Sequence, residues 1–109
     1  MKIYGIWLLV VEFIYRLARR VQVDDKDLAR QMKRASASVA LNMSEGMHGR
    51  GGNCVARFHD AMGSARETRA CLDVCLAARF VEREAIEAEL DRIDHVIAAL
   101  YKLCHKRRA

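Results

Sequence analysis

The sequence predicts an all-α fold, an antiparallel up-down-up-down four-helix bundle, from three observations. Apolar residues recur at three- and four-residue spacing in four long segments rather than in strict alternation. Proline is absent from all 109 residues. Four of the six glycines crowd into one place (Gly46, Gly49, Gly51 and Gly52), so the chain reads as long helices with one marked break. A chain of this length makes a single domain, 1–109, around one core.

The first helix is expected over 3–21, with Ile3, Ile6, Trp7, Val10, Ile14, Leu17 and Val21 inward. Its other faces are apolar too, through Tyr4, Leu8, Leu9, Val11, Phe13 and Tyr15. A helix apolar nearly all round is wrapped by protein on more than one side. In so small a bundle the extra cover must come from another subunit, so Tyr4, Leu8, Val11 and Tyr15 are the expected oligomer interface. The apolar run 3–15 is interrupted by Glu12 and is well short of the roughly 20 residues of a membrane span. No small-residue cleavage site follows it before Arg19 and Arg20. Neither a membrane anchor nor an export signal is therefore expected.

Asp24 is the expected cap of the second helix, with Asp25 and Asp27 in its first turn, where acid complements the positive helix end. That helix runs to about Met47, with Leu28, Met32, Ala35, Val39, Met43 and Gly46 on one face. Beside this stripe lies a band of small residues, Ser36, Ala37, Ser38 and Ala40, which reads as a close-packing seam. Asn53 should cap a third helix ending near Arg79, striped by Cys54, Phe58, Ala61, Ala65, Thr68, Leu72 and Leu76. After a break at Phe80 and Val81, a fourth helix over 83–106 places Ile86, Leu90, Ile93, Ile97, Leu100 and Cys104 in four-three steps, the seam of left-handed bundle packing. Short connections make neighbouring helices antiparallel.

Composition narrows the function classes. The net charge is +5 with a pI near 9.3, which makes nucleic acid or another acidic partner plausible without demanding one. Cys54, Cys71, Cys75 and Cys104 fall on or beside apolar stripes, so they read as reduced core residues of a cytoplasmic protein.

Gln31–Arg34 with Ala35, Ser38, Val39, Asn42, Glu45 and Gly46, followed by Ala61, Gly63, Ser64 and Glu67, resemble the two signature segments of a bacterial four-helix-bundle family. That family is found in intervening sequences of 23S ribosomal RNA genes. The resemblance implies a ring-like homo-oligomer, a pentamer. It also points to a relative that binds the reverse transcriptase of diversity-generating retroelements, so a reverse transcriptase or other protein is a second expected partner. It brings no catalytic site. The chain departs from the family pattern at Ala40, where proline is usual, at Cys54 and Arg57, where aromatics are usual, and at Glu82, where a Ser or Asp cap is usual.

The candidate sites are basic. An antiparallel bundle gathers Lys2, His48, Arg50, Lys102, His105, Lys106, Arg107 and Arg108 at one pole, opposed only by Glu45. This cluster either holds phosphates or compensates a helix C-terminus. Toward the other end stand Arg16, Arg19, Arg20, Arg30, Lys33 and Arg34; Glu12 can pair Arg16, and Asp27 can reach Arg30. Lys33 and Arg34 lack local acids: they form either a merely solvated face or, repeated around a ring, a weak site multiplied. Arg30, Lys33, Arg34, Arg50, Lys102, Lys106, Arg107 and Arg108 are accordingly the expected contacts to RNA or DNA. Six acids in 82–94 against Arg83 and Arg92 show that basicity is not uniform.

The glycine loop lacks the P-loop spacing and follows no strand. Cys71 and Cys75 stand four apart on one helix but no CxxC or HxxxH pattern accompanies them, so no metal or cofactor is expected. Ser64, Glu67 and His59 lie near one another along the third helix, yet nothing sets a base against a nucleophile with a third orienting group. An enzyme is not expected.

Overall fold

The computed structural model describes residues 1–49 and 52–105. Four helices follow in order: α1 (Lys2–Val21), α2 (Lys26–His48), α3 (Gly52–Ala77) and α4 (Arg83–Cys104). Each packs on the next, and α4 closes back on α1, giving a rod of 49 × 22 × 19 Å. Contacts across the α2–α3 seam fix its sense. Met32 meets Cys75, Ser38 meets Ser64 and Gly46 meets Cys54, so one helix descends as the other climbs. The first turns of α1 share a hollow with the last turn of α4, while Phe13 and Leu17 share one with Val81 and Ala85. That pair is antiparallel as well.

The core follows the expected stripes with five departures, Cys54 and Leu76 of α3 being half-buried among them. Trp7, Ile14, Met32, Met43, Leu72 and Ile86 are among its fully enclosed side chains. Ile6 is only half-buried. In α4, Val96 rather than Ile97 completes the seam, and Cys104 is half-buried. After Ile93 the core takes a three-residue and then a four-residue step, which keeps the mean spacing and turns Ile97 to the flank.

Helix ends correct the expected caps. Asp25, not Asp24, caps α2: its backbone is extended and its Oδ1 accepts from the Leu28 N–H at 3.0 Å. The Asp24 N–H returns to the Val21 carbonyl, so Asp24 belongs to the turn that closes α1. Asn53 lies inside α3, which begins at Gly52. That helix ends two residues earlier than expected because Arg79 adopts φ 64°. The Arg79 N–H bonds the Leu76 carbonyl and the Phe80 N–H bonds that of Cys75, the two reversed bonds of a Schellman motif.

Two close approaches lock the helices together. The Trp7 indole Nε1 donates to the Ser36 carbonyl at 2.8 Å in the α1–α2 seam. At the end of α2, Gly46 lies against the Phe58 ring; a Cβ there would come within 2.7 Å of it. No helix among the described residues is long and apolar enough to cross a membrane.

Candidate functional site

The small-residue band of α2 divides between two seams. Ser36 and Ala40 are buried, with Ser36 beneath Trp7 of α1. Ser38 instead faces α3, where its Oγ lies 3.0 Å from Ser64 Oγ, either atom able to donate. Asn42 Nδ2 donates to the Ser38 carbonyl and to its Oγ, and Thr68 Oγ1 donates to the Ser64 carbonyl. Over the hydroxyl pair opens a hollow of about 380 Å³ lined by Gln31, Arg34, Ala35, Ser38, Ser64 and Glu67. Gln31, Arg34 and Glu67 are exposed and the two serines half-buried.

Charge in this groove is left open. Toward the lower end of the seam, Arg57 is held by Glu45 at 3.5 Å, Asp60 at 3.4 Å and Asn42 Oδ1 at 3.4 Å. Neither Arg34 nor Glu67 takes part in an ion pair among the described residues. A guanidinium on one wall and a carboxylate on the other, neither ion-paired among the described residues, therefore flank the bonded hydroxyl pair. The groove is where the segments carrying the family resemblance meet, Gln31–Gly46 from α2 and Ala61–Glu67 from α3.

The sequence singles out Ser64 and Glu67 but does not pair them with Ser38 and Arg34. The available signal was positional. Ser38 and Ser64 each sit beside core positions (Ala35 and Val39, Ala61 and Ala65), where a polar residue facing a neighbouring helix needs a partner. His59 is exposed and not among the groove-lining residues.

Among the described residues the basic candidates do not form one patch. Arg30 pairs with Asp27 at 3.2 Å, and Arg16 with Glu12 at 3.3 Å, both on exposed surface worth little. Arg34 lines the α2–α3 groove. Lys33, about 100° away around the helix, is half-buried on the α1 side, and its carbonyl accepts from Ser36 Oγ. Lys102 and Lys2 stand at one apolar hollow of about 470 Å³ with Met1, Ile3, Ala99 and Leu103, so the lower pole does gather these two. Arg50, Lys106, Arg107 and Arg108 lie outside the described residues.

Charge separates by helix. Counting Lys, Arg, Asp and Glu, α1 and α2 together carry +5, and α3 and α4 together carry −2. The apolar flank of α1 lies on the positive side. Leu9 and Phe13 share hollows with α4, which leaves Tyr4, Leu8, Val11 and Tyr15 on the flank beside α2. Leu8 and Tyr15 are 44% and 41% exposed, and Tyr4 and Val11 are half-buried against the core. Leu41 of α2 is 66% exposed.

All four thiols are free. Burial pushes the Cys75 thiol up to about 11, helped by Cys71 and Asp25; burial, then Glu67, also raises Cys71. Cys75 Sγ lies 3.9 Å from Met32 Sδ, inside the core. Among the described residues no group of three or more His, Cys, Asp or Glu side chains is placed to hold a metal ion.

A family model described as 23S rRNA-intervening sequence protein matches residues 2–102. Among solved structures, a protein of unknown function of the S23 ribosomal protein family from Bacteroides thetaiotaomicron is similar, with a TM-score of 0.86 at 17% identity. The match covers 95% of this chain and 99% of that one, and at this identity it speaks for the fold. No curated protein matches the sequence.

Proposed function

The chain belongs to the 23S rRNA-intervening sequence protein family, and from that premise we propose that it is a cytoplasmic, non-catalytic helical bundle that assembles into a ring-like homo-oligomer of five copies and binds nucleic-acid backbones through its repeated basic side. The observation that carries this reading is the segregation of +5 onto α1 and α2 against −2 on α3 and α4. Lys33 and Arg34 add to it, because neither is neutralised by an ion pair among the described residues. Repetition around a ring turns a weak cationic surface into a useful one. Few aromatics are exposed, so contacts to phosphates rather than to bases are expected.

Fluorescence anisotropy with labelled single-stranded RNA and DNA across a salt series tests the reading. Binding should weaken steeply with salt, the log–log slope reporting the number of phosphates engaged. Micromolar protein that fails to bind either strand at low salt would reject it. Assembly is tested separately. Leu8→Glu or Val11→Glu should shift the solution mass toward monomer, and a wild-type protein that is already monomeric would refute the ring.

A second reading rests on the exposed apolar side chains Leu8, Tyr15 and Leu41. They suit a scaffold or accessory subunit whose partner is another protein, such as a reverse transcriptase. A partner that stays bound in a pull-down after nuclease treatment would favour this reading over the first.

A further inference from the structure

The α2–α3 groove presents one guanidinium, one carboxylate, one amide and two hydroxyls, and no aromatic ring. Each feature removes a class of ligand. Without a ring there is no platform on which a base can stack. A polar lining offers little to an apolar molecule. A bare phosphate would gain from Arg34 and lose to Glu67 across the same hollow.

The hydroxyl pair adds a further requirement. Ser38 and Ser64 hold two protons between them, and the bond joining them uses one. Asn42 Nδ2 donates to Ser38 Oγ, so it accepts neither proton. One hydroxyl proton is thus left to donate at the floor of the groove. A fitting ligand brings an anion for Arg34 and this proton, with a hydrogen-bond donor beside it for Glu67. The sugar–phosphate backbone of DNA carries acceptors alone. RNA adds one donor per nucleotide, the 2′-hydroxyl.

We propose that the α2–α3 groove is a sugar–phosphate site selective for RNA. Arg34 and the Ser38–Ser64 pair take the phosphate oxygens. Glu67 accepts the 2′-hydroxyl of the adjoining ribose, as carboxylates do in nucleotide-binding folds. Gln31, able to donate and accept, serves either group at the rim. This assignment rests on the nucleic-acid reading above and adds to it a preference for ribose over deoxyribose.

The test uses the full chain and three labelled strands of one sequence, each about 20 nucleotides long to span more than one site: RNA, DNA and 2′-O-methyl RNA. The wild type should bind RNA about tenfold more tightly than the other two, the worth of one hydrogen bond to a charged group. Glu67→Ala, which removes the acceptor, should bring RNA binding down to the DNA level and leave DNA binding no weaker. Arg34→Gln should weaken all three strands by a similar factor. Equal affinity for RNA and DNA in the wild type, or a preference that survives Glu67→Ala, would overturn the groove assignment and leave the broader reading standing. Failure to bind any strand would remove both. Thermal melting and solution mass of the two variants should match the wild type, since both side chains are exposed. A lower mass for either would make the groove a contact between copies instead, and overturn the proposal.

Discussion

Trp7 and Ser36 are joined by a buried 2.8 Å hydrogen bond from the indole Nε1 to a backbone carbonyl in the middle of α2. That carbonyl is also the i−4 acceptor of the Ala40 N–H in an uninterrupted helix, so both of its lone pairs are engaged. The bond gives Trp7 a polar anchor that a core aromatic with an N–H requires. It also bears on Ala40, which stands where the resembling family has proline.

Trp7→Phe should therefore destabilise the bundle by about 2 kcal/mol, from the lost bond and the smaller side chain together. Ala40→Pro removes one donor to the Ser36 carbonyl but leaves Trp7 in place, so its cost should fall below the ~3 kcal/mol of a mid-helix proline. The coupling is the sharper readout. In urea titrations the double variant should lose about 1 kcal/mol more than the two single changes combined. Strict additivity would show that the indole does not support that carbonyl.

Gly46 and Phe58 set a second expectation. Gly46→Ala places a methyl 2.7 Å from the Phe58 ring, and the resulting overpacking should cost about 1–3 kcal/mol. Phe58→Leu in the same chain should recover part of that loss by vacating the space. Gly46→Ala alone with an unchanged denaturation midpoint would contradict the close approach.

The two ends of the α3–α4 connection are both open to improvement. Arg79 holds φ 64° at a position where glycine carries no steric penalty. Arg79→Gly should stabilise by about 0.5–1 kcal/mol. Glu82 is the N-cap of α4, yet its side chain makes no capping bond, so Glu82→Ser or Glu82→Asp should add about 1 kcal/mol. The two changes lie on one short connection, and chemical denaturation of each variant alone and of both together measures them.

Alkaline pH should weaken the fold through Cys75. Its thiol ionises at about 11 when buried, against an ordinary value of 9.0. Between those values the unfolded chain releases this proton and the folded chain keeps it, so unfolding becomes more favourable as pH rises. The contribution is at full strength below pH 9 and lost progressively up to 11, with a limiting slope of about 1.4 kcal/mol per pH unit. Cys75→Ala should be less stable at neutral pH but lose less over this window. An identical slope in both proteins would count against the buried thiol.

Much of the fold is legible along the chain because helical periodicity is local. The stripe from Leu28 to Gly46 reads directly as a core face, and every one of its six members is buried. Helix ends are less legible. Asp24 and Asp25 are equivalent by residue type, and only the turn after Val21 decides which side chain reaches the Leu28 amide. Arg79 carries no sequence mark of its left-handed backbone, since glycine is the usual signal there. The groove was the least legible feature, because each of its walls looks like an ordinary helix surface when read alone.

Four helices, their order and the stripe each buries are legible along the chain, since spacing along a helix is set within a few residues. The sequence also locates the resembling segments and leaves Lys33 and Arg34 without local acids. Tertiary structure alone decided that those two cations part company, Lys33 toward α1 and Arg34 into the α2–α3 groove. It alone set Ser38 against Ser64, 26 positions along the chain. The physical reason is that periodicity states which face of a helix turns inward, whereas the residues flanking that face acquire partners only when a second helix is laid beside it.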